Sequence, residues 1–264
     1  MTLSGDTLYG TTGSGGIAGN GTVFKINTDG TGFTNLYVFT GTPLTSFLTN
    51  SDGANPYAGL ILSGDTLYGT TQNGGSAGAG FGTVFAVNTD GTDFTNLHSF
   101  TYFSDGAGPD AGLILSGNTL YGTASGGGLG RGTVFAVNTD GTGFTNLYSF
   151  KIPTSGGMSP QAGLVLSGYT LYGTAEFGGT TNSGTVFSLS FPPPMTIIPA
   201  GTNIILAWPT NFAGFDYTEF TLQSATNLDP AVWNTLSPAR AVVNAQCTVT
   251  NVISGDQMFF RLSQ

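Results

Sequence analysis

The side chains best suited to hold a ligand are aromatic and polar residues gathered in glycine-rich stretches. Tyr57, Phe81, Tyr102, Phe103 and Phe177 stand beside Asn55, Gln72, Asn73, Asp105, Asp110 and Glu176, and Arg131 closes a further such stretch. Aromatic faces stack on the C–H faces of sugars, while amides and carboxylates bond hydroxyls. This mixture therefore suits saccharide binding. The competing expectation is that the same rings pack beneath their own loops.

Other chemistries lack residues. His98 is the only histidine, and no Gly-x-Ser-x-Gly elbow frames a serine, so a Ser-His-Asp triad is not expected. His98 falls where other repeats carry Tyr37 and Tyr148 and reads as a strand residue. One His and one Cys cannot make a zinc site. Cys247 has no disulfide partner and sits in an alternating strand pattern as a small core residue. A glycoside hydrolase would need two carboxylates about 5–10 Å apart. Asp105 with Asp110, or Glu176 with a loop aspartate, would meet that need only by accident of the fold. Asp29, Asp90 and Asp140 recur in Asn-Thr-Asp-Gly-Thr and invite a calcium reading. That segment offers too few alternating oxygen ligands, so turn chemistry is expected instead. The Gly-rich loops join strands rather than opening helices, and they lack the phosphate-binding Lys-Ser/Thr. No cofactor, metal or catalytic residue is expected.

What positions these loops is an internal repeat. Leu-Ser-Gly-Asp-Thr-Leu-Tyr-Gly-Thr at Leu62–Thr70 recurs near residues 3, 115 and 166; its tyrosines, Tyr9, Tyr68, Tyr121 and Tyr172, are 59, 53 and 51 residues apart. Gly-Thr-Val-Phe begins at Gly21, Gly82 and Gly132, with Gly184 in the last repeat. Asn-Thr-Asp-Gly-Thr begins at Asn27, Asn88 and Asn138, and Ala-Gly-Leu at Ala58, Ala111 and Ala162. The second repeat predicts four strands: A at 58–63, B at 66–71, C at 82–88 and D at 94–100. Val84-Phe85-Ala86-Val87 is apolar on both faces, as a strand buried on both sides requires. Asp90-Gly91 and Gly64-Asp65 mark hairpin turns. Four antiparallel strands in roughly 50 residues fit a propeller blade better than a β-solenoid coil. The fold class expected is all-β: a β-propeller of about four four-stranded blades, incomplete at its ends, followed by a small β-sandwich. In such blades the B–C and D–A connections share one face. Here those connections vary (residues 13–20, 72–81, 101–110, 125–131 and 176–183) while the opposite turns hardly change. Variable loops on a rigid scaffold are the usual place for binding.

Composition bounds the partners. Charged residues are 7% of the chain, against about 25% in ordinary domains, with 5 basic and 14 acidic residues, net −9. That excess disfavours nucleic acid and anionic membranes. Aromatics at 12%, including 20 Phe, argue against disorder. No stretch has the length of a membrane-spanning helix. Met1–Gly5 already lies within a repeat, so no signal peptide is read there, and a truncated N-terminus or another export route is expected.

The run Leu-Tyr-Gly-Thr, a Gly-rich stretch, Gly-Thr-Val-Phe, Asn-Thr-Asp-Gly-Thr and Phe-Thr-Asn-Leu resembles the bacterial Gloeo/Verruco-type tandem repeat over residues 1–191. The resemblance implies an extracellular propeller protein without a settled activity, often with more repeats, and brings no catalytic residues.

The expected domains are repeats at 1–57, 58–110, 111–161 and 162–191, a Pro192–Pro194 linker, and a module at 195–264. Seven short strand candidates in that module predict an immunoglobulin-like or fibronectin-III-like sandwich with Trp208 and Trp233 as core anchors. The functional expectation is an extracellular or cell-surface, non-enzymatic binding or adhesion protein. Its partner would be a polysaccharide or a cell-surface protein on the variable loop face. The alternatives are a scaffold that self-associates through open strand edges and a glycoside-acting hydrolase using loop carboxylates.

Overall fold

The computed structural model describes residues 1–41, 50–76, 80–151, 156–236, 240–252 and 257–263. Part of the second B–C connection, residues 77–79, lies outside them. The chain divides into two units, Met1–Leu189 and Ser190–Gln264.

The first unit is a series of antiparallel sheets in tandem. β1 (Thr2–Ser4), β2 (Thr7–Thr12), β3 (Thr22–Asn27) and β4 (Thr34–Val38) form the first, in chain order. β5 (Ile61–Ser63), β6 (Thr66–Thr71), β7 (Thr83–Asn88) and β8 (Thr95–Ser99) form the second. β9 (Ile114–Ser116), β10 (Thr119–Ala124), β11 (Thr133–Asn138) and β12 (Thr145–Ser149) form the third. The fourth has three strands, β13 (Val165–Ser167), β14 (Thr170–Ala175) and β15 (Thr185–Ser190). This is an incomplete propeller-like arrangement.

The repeated residues explain the repeated geometry. Each Leu-Tyr-Gly-Thr glycine lies under a phenylalanine ring of the adjacent strand. A Cβ on Gly69 would come within 2.5 Å of Phe85 Cζ, and one on Gly122 equally close to Phe135. Tyr68, Val84, Ala86 and Phe100 of the second sheet pack on Leu113, Leu120, Phe135 and Val137 of the third. Tyr9, Val23 and Phe39 pack on Leu60, Leu67, Phe85 and Val87 in the same way. This two-faced burial is what the apolar run of β7 requires. In the fourth sheet this burial is lost: Val186 is 80% exposed, whereas Val23, Val84 and Val134 at the same position are 0% exposed.

Two local expectations need correction. The innermost strands begin at Ile61, Ile114 and Val165, three residues later than the pattern predicts. The preceding backbone bonds the neighbouring sheet instead, for Thr11, Thr70 and Thr123 donate their hydroxyls to the carbonyls of Ala58, Ala111 and Ala162. The Asp90-Gly91 connection is wider than a two-residue hairpin. The Asn88 N–H donates to Thr92 O, and Asp90 Oδ1 accepts from both Thr92 N and Thr92 Oγ1. Asp29 and Asp140 make the same pairs with Thr31 and Thr142, and these bonds hold all three carboxyls below their ordinary pKa.

The second unit has one sheet of four strands, β16 (Thr196–Ala200), β17 (Asn203–Pro209), β23 (Gln246–Val252) and β22 (Ala241–Val243), in that spatial order. A second sheet orders β21 (Asn234–Thr235), β20 (Thr221–Ala225) and β24 (Phe259–Ser263), and β18 (Asn211–Phe212) pairs β19 (Phe215–Asp216). Trp208 is 1% exposed and donates its indole N–H to Tyr217 O. Cys247 is fully buried opposite Trp208, and burial raises its thiol pKa. Trp233 is not the second anchor: it is half-buried and lies 4.3 Å under the Arg261 guanidinium.

Candidate functional site

The loop face is built from a repeated backbone weave between neighbouring repeats. Ala54 and Asn73 exchange both backbone hydrogen bonds, Asn55 N donates to Asn20 O, and Gln72 N donates to Asn55 O. One repeat on, Ala107 pairs with Gly126, Gly108 N with Phe81 O, and Ser125 N with Gly108 O. At the third junction Met158 pairs with Phe177, Ser159 N with Arg131 O, and Glu176 N with Ser159 O. The middle residue has positive φ each time: 61° at Asn55, 61° at Gly108 and 54° at Ser159. Asn and Gly tolerate that conformation and Ser less readily. A proline then seals each junction. A Cβ on Gly82 would meet Pro109 Cδ at 2.5 Å, and one on Gly132 would meet Pro160 Cδ at the same distance.

Most of the sequence-predicted residues fall on equivalent stations of this rim. Gln72 and Glu176 share one, Asn73 and Phe177 the next, Phe81 and Arg131 a third, and Tyr57 and Asp110 a fourth. Side chains link stations across each junction. Asn73 Nδ2 donates to Asn55 Oδ1, Ser125 Oγ to Asp110 Oδ2, and Gln161 Nε2 to Glu176 Oε2. Asp110 Oδ1 is buried and has no hydrogen-bond partner among the described residues. The rings stay accessible. Phe103 is 81% exposed, and its ring meets that of Tyr102, which meets Phe81, at centroid separations of 5.6 and 5.0 Å. Tyr57 packs over Gly13 and is exposed, as is Phe177.

Asp105 is placed differently. It is 6% exposed, with both oxygens engaged: Oδ1 by Thr101 N and Oγ1, Oδ2 by Thr101 N and His98 Nε2. It latches its own connection to β8 and presents no acceptor to the loop surface. Asp105 and Asp110 therefore serve separate hydrogen-bond networks. Asp52 does the same work one repeat earlier, binding Tyr37 Oη at 3.0 Å and Thr40 N and Oγ1 at 2.8 Å. Burial, with the Asp52 charge second, raises the Tyr37 hydroxyl pKa. The His98 pKa is lowered by burial, against the opposing pull of Asp105. Each ring also stacks on the next repeat: Tyr37 on Phe94 at 3.7 Å and His98 on Phe144 at 3.6 Å, both at 8°. The signal for this latch was present in the sequence as Ser51-Asp52-Gly53-Ala54 and Ser104-Asp105-Gly106-Ala107.

Among the described residues, no three His, Cys, Asp or Glu side chains gather where they would hold a metal. The fold and rim thus define an all-β tandem-repeat protein with a loop-built surface. Residues 42–200 match the model of the Gloeobacter/Verrucomicrobia repeat, and the chain belongs to that family. No curated protein matches it. Among solved structures it is similar to a chain of a nidogen/laminin complex, with 15% identity over 88% of this chain and 76% of that one and a TM-score of 0.42. It is also similar to a putative TolB from Agrobacterium tumefaciens (10% identity, 95% and 72% covered, TM-score 0.43). TolB from Acinetobacter baumannii is a third (13% identity, 89% and 53% covered, TM-score 0.39).

Proposed function

We propose that this chain is a non-enzymatic, extracellular or cell-surface binding protein whose loop rim holds a polysaccharide or a surface partner. The observation that carries this reading is a rim of constant backbone with changing side chains. The same hydrogen bonds recur at all three junctions, while the stations read Tyr57, Asp110 and Gln161, or Asn73, Gly126 and Phe177. A fixed scaffold costs little entropy on binding, and rings that move little supply contact area. Tyr57, Phe103 and Phe177 are the exposed aromatic platforms, with Tyr102 bridging Phe103 to Phe81. Gln72, Asn73, Asp110, Arg131 and Glu176 supply polar groups around them. The Ser190–Gln264 unit is read as a small fibronectin-III- or immunoglobulin-like sandwich that spaces or anchors the repeats, on the strength of its sheets of four and three strands.

The test is retention on a panel of immobilised polysaccharides. A retained glycan that Phe103→Ala and Phe177→Ala release, with melting unchanged, supports the rim. Retention untouched by both substitutions sinks it. A second reading, self-association, is favoured by the bare faces at Leu3 and Val186. It predicts a mass that rises with concentration and falls in Val186→Asp.

A further inference from the structure

The carboxylate latch of the first two repeats is missing from the third. Gly156 stands where Asp52 and Asp105 stand, just before the equivalent glycines Gly53, Gly106 and Gly157. Yet the groups that would bind a carboxylate remain. Tyr148 occupies the position of Tyr37 and His98, and Lys151 that of Thr40 and Thr101. A Cβ on Gly156 would sit 3.5 Å from Tyr148 Oη, an ordinary contact, so the hydroxyl points at the vacated position. Neither that hydroxyl nor the Lys151 N–H has a hydrogen-bond partner among the described residues, whereas Tyr37 Oη, Thr40 N and Thr101 N all donate to an aspartate. Among the described residues the Tyr148 ring has no stacked partner like the one Tyr37 finds in Phe94 and His98 in Phe144; it meets Phe150 edge-on at 5.0 Å. The group opens on a surface depression lined by Leu129, Asn146, Leu147, Tyr148, Ser149 and Lys151.

We infer that this notch is a binding subsite for a carboxylate carried beside a flat apolar face, as in a hexuronate residue of an acidic saccharide. The sugar carboxylate takes the place of the missing aspartate, accepting from Tyr148 Oη, the Lys151 N–H and the Lys151 ammonium. The pyranose C–H face covers the ring where a phenylalanine lies in the earlier repeats. An aspartyl side chain brings a carboxylate without such a face and fits less well. A net charge of −9 repels polyanions at long range, so a single uronate among neutral sugars suits the notch better than a polyuronate. The choice of a saccharide rests on the proposed function, but none of the side chains proposed to bind at the rim lines the notch.

The experiment is calorimetric titration of the whole chain with a glucuronate-bearing xylo-oligosaccharide, its carboxyl-reduced form, and the unsubstituted oligosaccharide. The charged form is expected to bind best. Tyr148→Phe should weaken it about tenfold or more, as loss of a hydrogen bond to a charged group implies. Gly156→Asp should abolish binding and raise the melting temperature, because the new carboxylate completes the internal latch. Gly156 does not have positive φ, so aspartate fits the backbone there. Equal binding of all three sugars, or charged-sugar binding unchanged in both variants, overturns the inference. Binding of an aspartyl peptide in place of the uronate also overturns it. Neutral glycan held by the rim with no uronate binding removes the notch and leaves the rim, and no binding of either removes both.

Discussion

Asp105→Ala is the substitution whose cost follows most directly from the geometry. Its carboxylate, 6% exposed, accepts from Thr101 N, Thr101 Oγ1 and His98 Nε2 at 2.6–3.1 Å. Hydrogen bonds to a charged group contribute about 1.5–3 kcal/mol each. Three donors on one carboxylate are not independent, and leaving them together without an acceptor, at about 1–3 kcal/mol for each buried group, costs about 3–5 kcal/mol in all. For a domain of this size each kcal/mol moves the melting temperature by about 2–4 °C, giving a fall of roughly 6–20 °C. Differential scanning calorimetry of the whole chain reads this as a shift of the transition of the repeat unit. Asp105→Asn retains the shape and an acceptor oxygen and should fall between parent and alanine. A fall of less than about 2 °C in Asp105→Ala would refute the latch.

The remaining predictions concern protons, glycines and metal. His98 takes up a proton less readily folded than unfolded, because burial lowers its pKa. Its contribution is therefore complete above the ordinary value of 6.5 and is lost as pH falls below it. His98→Tyr, which installs the residue of the other repeats, should flatten that part of the stability profile in denaturant titrations at pH 7.5 and 5.5. Gly82→Ala, at φ 100° with a Cβ 2.4 Å from Thr71 O, should destabilise by well over ~1 kcal/mol. Gly64→Ala, with nothing within 4 Å, should cost only about 1–2 kcal/mol by urea unfolding. Calcium or a chelator should leave melting unchanged, since Asp29, Asp90 and Asp140 are occupied by their own threonines.

The repeat blocks made the sheets legible, because each block has one physical job. The Leu-Tyr-Gly-Thr glycine admits a phenylalanine ring, and Gly-Thr-Val-Phe supplies that ring from the next strand. The late start of β5 was not legible, because it depends on Thr11 reaching from another repeat, and local pattern carries no signal for such contacts. The place of Asp105 is hidden in the sequence for a related reason. A carboxylate in a loop looks the same whether it faces solvent or its own backbone, and only its recurrence as Asp52 and loss at Gly156 tells the two apart. Residue type alone marks Trp233 as a core anchor, whereas the Arg261 side chain covering it comes from the far end of the unit.

The central claim is that rim side chains bind while rim backbone only supports them. Thermal unfolding of the parent and of Tyr57→Ala/Phe103→Ala/Phe177→Ala, with and without each polysaccharide of a panel, tests it most directly. A ligand at a hundredfold excess over its dissociation constant stabilises the folded state by about 2.7 kcal/mol. One glycan is expected to raise the parent's melting temperature, and the triple variant to melt at the parent's ligand-free temperature whether or not that glycan is present. A triple variant that still responds to the glycan, or a parent that responds to none of the panel, would contradict it.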